Sequence, residues 1–369
     1  MAWHLSPLHA EQVALGARFA PFGGWSMPLD YAGGGVLAEH GAVRAGVGLF
    51  DVSHLGELRV MGPGAAEYLN ARLTNDLGRI EPGRAQYTML ANQAGGVVDD
   101  MIAYLFTPDD VRLVPNAANS DEVAARLGDG LPSALRISDH HTSHVVLAVQ
   151  GPKSKALLEA MGLPADMGYM AFREAGFADG TLSVCRTGYT GEHGYELIAS
   201  DSLAAPLWAA IMTAGEPYGI KACGLGSRDT LRTEMGYALH GQDISQDIDP
   251  VEAGLGWAVG WAKPAFDGDE ALKQRRTVGP DRRLRGLKAA GRGIPRPGMS
   301  VRTTHGKAII GEVTSGTFSP TLRTGIALAL VDANLPLGAV VGVDIRGRAE
   351  PFEVVKPPFV ASRVSNDES

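Results

Sequence analysis

Gln86-Tyr87-Thr88-Met89-Leu90-Ala91 and Val97-Val98-Asp99-Asp100-Met101-Ile102-Ala103-Tyr104-Leu105 flank Gly95-Gly96. Both runs are rich in β-branched, aromatic and large apolar residues, and the glycine pair supplies a turn. The stretch therefore reads as two consecutive strands. On the second strand a period of two puts Val98, Asp100, Ile102 and Tyr104 on one face. A carboxylate between Val98 and Ile102 is costly to bury unless it is paired or functional. If that face is the solvent face, Asp99 is the buried acid and equally out of place. Either way, one acidic group sits among apolar neighbours.

Outward from this pair, strands and helices interleave. Gly56, Leu58 and Val60 alternate with Glu57 and Arg59, a half-buried strand, and Ala65, Leu69 and Leu73 recur at helical spacing. Asn119 with Glu122 reads as a capping-box start to a helix. His144–Val149 reads as a strand, and Gly151-Pro152 as the opening of the next helix. Leu182–Arg186 and Gly194–Ile198 read as strands around a Gly-rich connection. Leu203, Leu207 and Ile211 mark a helix capped by Asp201 or Ser202. After about residue 263 the pattern changes. Lys273–Arg285 is dense in charge and reads as an exposed linker. Beyond it, 308–313, 326–331, 340–345 and 352–355 read as strands separated by Gly/Pro turns, a separate C-terminal β domain. At roughly 150 residues per domain, a 369-residue chain holds two or three domains.

Composition removes several function classes. The net charge of −8 argues against a nucleic-acid surface. Two cysteines, Cys185 and Cys223, exclude a disulfide framework and a four-cysteine zinc site. His140, His141 and His144 are dense but read as a solvated turn, so no metal is expected. Residues 254–260 have the wrong glycine spacing for a dinucleotide loop, and no phosphate loop or nucleophile elbow occurs. Met1–Gly16 has no signal-like pattern and no uncharged apolar run reaches about 18 residues. A cytoplasmic protein with no membrane partner is the expectation.

Further segments carry polar or aromatic groups where a core wants aliphatics. Asn119 is explained as a cap, whereas Asn116 ends a strand that needs no amide. Arg186–Glu196 holds glycines at 188, 191 and 194, Tyr189 and Glu196. Glycines let backbone approach something flat, tyrosines stack on it, and a carboxylate accepts from its amines. A decorated hairpin is the alternative. Gly224–Tyr237 starts a helix with Ser227 as its cap and sets Arg228 and Arg232 on one face. These arginines suit either ligand carboxylates or a structural ion-pair network. Thr314–Leu322 is a polar turn cluster without an ionisable group.

Taken in order, these segments resemble the T-protein (aminomethyltransferase) family of the glycine cleavage system. The likeness runs from Phe22-Gly23-Gly24-Trp25-Ser26-Met27-Pro28 through Phe50-Asp51-Val52-Ser53-His54 and Asn75-Asp76-Leu77 to Val354-Val355-Lys356-Pro357-Pro358-Phe359. The chain has His240-Gly241 where many members have Tyr-Gly. The resemblance implies an α+β protein of three domains. Residues 1–51 and 140–263 would form a discontinuous folate-binding domain, and 52–139 an inserted ferredoxin-like domain. Residues 264–283 would be a linker, and 284–364 a jelly-roll-like β barrel. It implies an enzyme that moves a one-carbon unit from the aminomethyl-lipoyl arm of H protein to tetrahydrofolate, with no metal. A folate-dependent demethylase or a non-catalytic folate-binding protein is the alternative on the same scaffold. Asp100 matches the family's key carboxylate. Tyr189 and Glu196 match pterin-contacting positions, and Tyr87, Tyr104 and Asn116 other pocket positions. Arg228 matches a folate-binding position, Tyr237 a pocket-lining place, and Arg363 a looser folate contact.

Overall fold

The structure, a computed structural model, describes residues 3–303 and 308–365. Met1, Ala2, residues 304–307 within the expected barrel and residues 366–369 lie outside the described residues. The protein is a mixed α+β structure built on two larger sheets and a barrel. The six-stranded sheet runs in the order Phe172–Phe177, Gly180–Cys185, Gly194–Ser200, His144–Gln150, Gly48–Asp51, Lys221–Cys223. Alternation along His144–Gln150 decides its two faces. Val145, Leu147 and Val149 pack with Leu157, Leu207 and Ile211 of the covering helices Ser154–Ala160 and Ala204–Gly215. Val146 and Ala148 point the other way, into a core shared with Ala85 and Tyr104 of the second sheet.

That second sheet has five strands, Arg84–Ala91, Val97–Thr107, Asp110–Pro115, Leu58–Met61 and Arg136–Asp139, all antiparallel. Helices Ala65–Asn70 and Ser120–Gly128 cover one face through Leu69, Val123 and Leu127. The expected strand pair around Gly95-Gly96 is present, but its period breaks. Leu90 pairs with Asp99 while Ala91 pairs with Val97, so Val98 is an extra, bulged residue. Val98 therefore joins Met101, Ala103 and Leu105 in the helix-covered core rather than sharing a face with Asp100.

The C-terminal strands close into a six-stranded antiparallel barrel, in the order Arg282–Ala289, Thr324–Asp332, Ile309–Ser319, Ser300–Thr303, Val340–Ile345, Arg348–Val355. Leu287, Val313, Ala329, Val343, Phe352 and Val354 fill it. A buried polar seam ties it to helix Leu225–Met235. Arg232 bonds Asp243 and Ser315, and Glu234 accepts from Ser319 and Thr321.

Several local expectations are corrected. The charged stretch is not an exposed linker throughout, because Asp269–Val278 is a helix and Arg282 already lies in the barrel. Leu272 on that helix is fully buried among Met89, Val97 and Phe266, and its charges suit the dipole, Asp269 first and Arg276 last. Helix Leu225–Met235 is preceded by Gly224, and the Ser227 hydroxyl donates to the Gly224 carbonyl from inside the first turn. The helix after Gly151-Pro152 begins at Ser154, and Asp201 and Ser202 lie in a 3-10 turn before Ala204. Asn119 sits at the start of Ser120–Gly128 without a side-chain cap bond, because its amide is committed elsewhere.

Candidate functional site

A cavity of about 1050 Å³ is walled by both large sheets, by helix Leu225–Met235 and by the barrel. The strand Val97–Thr107 brings Asp100, Ile102 and Tyr104 to it, and the loop and strand from Thr187 to Glu196 form another side. All eight expected residues line it: Tyr87, Asp100, Tyr104, Asn116, Tyr189, Glu196, Arg228 and Tyr237. Arg363 does not. It is exposed, ion-paired with Glu192 at 3.8 Å and bonded through its backbone to Gly191.

At one end the two aspartates converge, although a period of two separates them. Asp100 opens on the cavity and Asp99 is wholly buried. The Asn116 amide nitrogen reaches Asp100 Oδ1 at 2.8 Å and Asp99 Oδ1 at 2.9 Å, and the Asn116 backbone N–H donates to Asp99 Oδ2 at 2.8 Å. Asn119 donates to Asp99 Oδ1 at 2.7 Å. The Tyr87 hydroxyl lies 3.0 Å from Asp100 Oδ2, and its ring stacks on Trp257 at 5.4 Å. Burial pushes both carboxyls up, and for Asp99 the neighbouring Asp100 charge adds to it. The pair resists holding two negative charges. Asp99 is thus no inert opposite-face partner; it is tied to Asp100 through one amide.

The other walls are aromatic and charged. Glu196 accepts from the Thr187 hydroxyl at 2.5 Å, which in turn meets the Tyr104 hydroxyl at 3.2 Å. Tyr189 donates to the Ala238 carbonyl and stacks on Tyr237 at 5.6 Å. The Arg228 guanidinium lies 4.8 Å from the Tyr189 ring centre. Its Nη1 is buried with no hydrogen-bond partner among the described residues, and burial lowers its pKa. A guanidinium nitrogen buried without a partner on a cavity wall suits an anionic or carbonyl group of a ligand. Arg232 is instead the structural member of the arginine pair, held by Asp229, Asp243 and Ser315. The three loop glycines serve packing. A Cβ at Gly188 or Gly194 would strike Gln150, and one at Gly191 would strike Met235.

Reading the sequence missed Trp257, His240, His54 and the site role of Asn119. Trp257 stood in the rejected glycine-spaced run, and only folding reveals a 64% exposed tryptophan stacked on a site tyrosine. His54 lines the same wall as Arg228. Burial, then the Arg228 charge, pushes it down to about 3, so it is neutral. Among the described residues no group of three or more His, Cys, Asp or Glu side chains is placed to hold a metal, and no helix is long and apolar enough to cross a membrane.

Comparison with known proteins bears on this cavity. Residues 8–263 match the family described as the GCVT N-terminal domain, and residues 282–361 match the glycine cleavage T-protein C-terminal barrel domain. An aminomethyltransferase of Frankia alni is 58% identical over 97% of this chain and 98% of its own length. One of Mycobacterium tuberculosis is 52% identical over 96% of each. The crystal structure of the glycine cleavage system aminomethyltransferase T from Bartonella henselae superposes with a TM-score of 0.93, at 34% identity, over 99% of this chain and 100% of that one.

Proposed function

The chain belongs to the T-protein family of the glycine cleavage system and is an aminomethyl-transferring enzyme; from that premise we propose its substrates and the roles of its residues. The donor is the aminomethyl group on the lipoyl arm of H protein, and the acceptor is tetrahydrofolate held in the cavity. The donor's carbon–sulfur bond breaks, the carbon passes to the folate as its methylene group, and ammonia leaves. The products are methylenetetrahydrofolate and dihydrolipoyl H protein.

The residues present fit a folate. Tyr189 with Tyr237, and Tyr87 with Trp257, present flat faces to a heterocycle. Glu196 is a buried acceptor for its ring amines, and Tyr104 and Asn116 complete the pocket. The unpartnered Arg228 Nη1 is the fit test, because it needs a ligand acceptor and the folate has carboxylate and carbonyl oxygens to offer. When bound, the folate supplies the nitrogens that accept the carbon.

Asp100 is the catalytic residue of this reading. Positive charge develops on the aminomethyl carbon as its bond to sulfur weakens, and the buried pair places negative charge nearby in a low-dielectric wall. Asp100 also holds or moves a proton at Oδ2, where Tyr87 can donate or accept as needed. Tyr87 and Asn116 hold its two oxygens in place.

The observation that carries the proposal is the meeting of Asp100, Glu196 and the unpartnered Arg228 on one cavity. Calorimetry with tetrahydrofolate, followed by ammonia release from aminomethylated H protein, tests it. Binding in the micromolar range or tighter together with ammonia release is expected. Absence of folate binding refutes the acceptor, and folate binding without release refutes the donor.

A further inference from the structure

The hydrogen bonds around the aspartate pair do not end at Asn119. His240, on the cavity wall, has Nδ1 3.0 Å from the Asn119 amide nitrogen and Nε2 3.0 Å from the Val97 carbonyl oxygen. A carbonyl only accepts, and an amide nitrogen only donates. Both bonds form together only when the His240 ring is neutral, with its proton on Nε2 and a lone pair on Nδ1. The Val97 end is anchored in turn, since its N–H donates to the Ser245 carbonyl at 2.7 Å.

The same Asn119 nitrogen gives its other proton to Asp99 Oδ1. An overturned Asn119 amide would set its oxygen against the Nδ1 lone pair and the Asp99 carboxylate at once. His240 therefore locks the amide in the orientation that serves Asp99. All three groups that meet Asp99 are then N–H donors, the Asn116 backbone and the Asn116 and Asn119 amides. Asp100 differs, because one of its partners is the Tyr87 hydroxyl, which can reverse its bond. The three donors fix Asp99 in orientation, while the reversible Tyr87 bond leaves Asp100 free to exchange a proton.

We propose that His240 is a positioning residue for the reaction, acting through Asn119 to hold Asp99, and through the Asn116 amide they share Asp100, in the reacting arrangement. The inference rests on the reading of Asp100 as the reacting carboxyl. Without an acceptor at position 240, Asn119 is free to turn, Asp99 loses a donor, and the pair loses its fixed arrangement.

The test uses the full chain with aminomethylated H protein and tetrahydrofolate. The variants are His240→Leu, His240→Asn, Asn119→Leu, the double His240→Leu/Asn119→Leu, and Asp100→Asn. An asparagine at 240 returns an acceptor oxygen close to the place of Nδ1 without the ring. His240→Leu is expected to lower kcat about 10- to 100-fold, the size of effect that small misplacements produce. The KM for tetrahydrofolate should change by less than about threefold, because binding groups are untouched. His240→Asn recovers most of that loss, and the double variant is no slower than Asn119→Leu, since both changes act through one bond. Equal losses in the Leu and Asn variants, additive losses in the double, or an effect on KM alone would overturn the proposal. If His240→Leu does not fold, His240→Phe replaces it, filling the place of the ring with neither donor nor acceptor. Asp100→Asn separates the two readings. If it is crippled while His240→Leu is normal, the positioning role falls and the carboxylate reading stands; if Asp100→Asn is as active as the parent chain, both fall.

Discussion

Replacing Asp100 by Asn is the sharpest probe of the chemistry. The substitution preserves size and leaves an oxygen able to accept from Asn116, now 2.8 Å from Asp100 Oδ1. The new amide nitrogen faces the Tyr87 hydroxyl, which turns to accept, so neither neighbour loses a partner. Folding stability and folate affinity should therefore stay close to the parent values. What is lost is the group that takes up or gives back a proton and the negative charge it can carry. Positioned acid–base and electrostatic groups contribute about 10²–10⁴ in rate, or roughly 3–5 kcal/mol of barrier. The assay is single-turnover ammonia release from aminomethylated H protein at saturating tetrahydrofolate, with folate affinity measured by calorimetry. A rate within about threefold of the parent chain, with folate bound normally, refutes the carboxyl role. A loss wholly in folate affinity refutes it in another way, by making Asp100 a binding group.

Further outcomes follow from the same geometry. Asp99→Asn should also slow turnover, by about 10- to 100-fold, because its carboxylate shares the Asn116 amide with Asp100; an unaffected single-turnover rate would dissociate the two acids. Glu196→Ala should weaken tetrahydrofolate binding by about 2–4 kcal/mol, leaving ring donors unpaired in a buried pocket, and slow the saturated enzyme little; unchanged calorimetric affinity counts against it. Arg228→Met should weaken folate binding about 10- to 100-fold yet raise or maintain the melting temperature, because it removes a buried guanidinium nitrogen that has no hydrogen-bond partner among the described residues; a lower melting temperature with normal affinity would make Arg228 structural. In Glu234, burial is outweighed by bonds from His40 and Ser319 and the charge of Arg44, which hold it down to about 2. Its folded pKa lies below its unfolded one, so its contribution to stability is full above about pH 4.5 and fades as pH falls toward 2. Denaturant titrations between pH 6 and 3 should show this loss, and Glu234→Gln should flatten it.

Much of the architecture was legible in residue order because local chemistry and packing agree. The strand His144–Gln150 and the barrel strands after residue 282 show alternation that survives in the fold, and the hairpin at Gly95-Gly96 forms with its alternation broken only at Val98. Of the eight candidate residues that line one cavity, Asp100, Asn116, Tyr189, Glu196 and Arg228 stood out as polar or aromatic groups that a core has little use for, whereas Tyr87, Tyr104 and Tyr237 came from the family resemblance. Tertiary structure decided the rest. The bulge turns Val98 off the Asp100 face, and a bulge is set by pairing with Leu90 and Ala91 rather than by the strand's own residues, while Asp99 and Asp100 meet only through the Asn116 amide of a neighbouring segment. Asn119 carries the local signature of a cap, but its amide instead bonds Asp99, 20 residues away, and His240, 121 residues away. Trp257 and Arg228 take their meaning from neighbours such as Tyr87 and Tyr189 that are remote in the chain. Periodicity reports which face of an element is buried; the partner of a buried polar group depends on which distant segments pack against it.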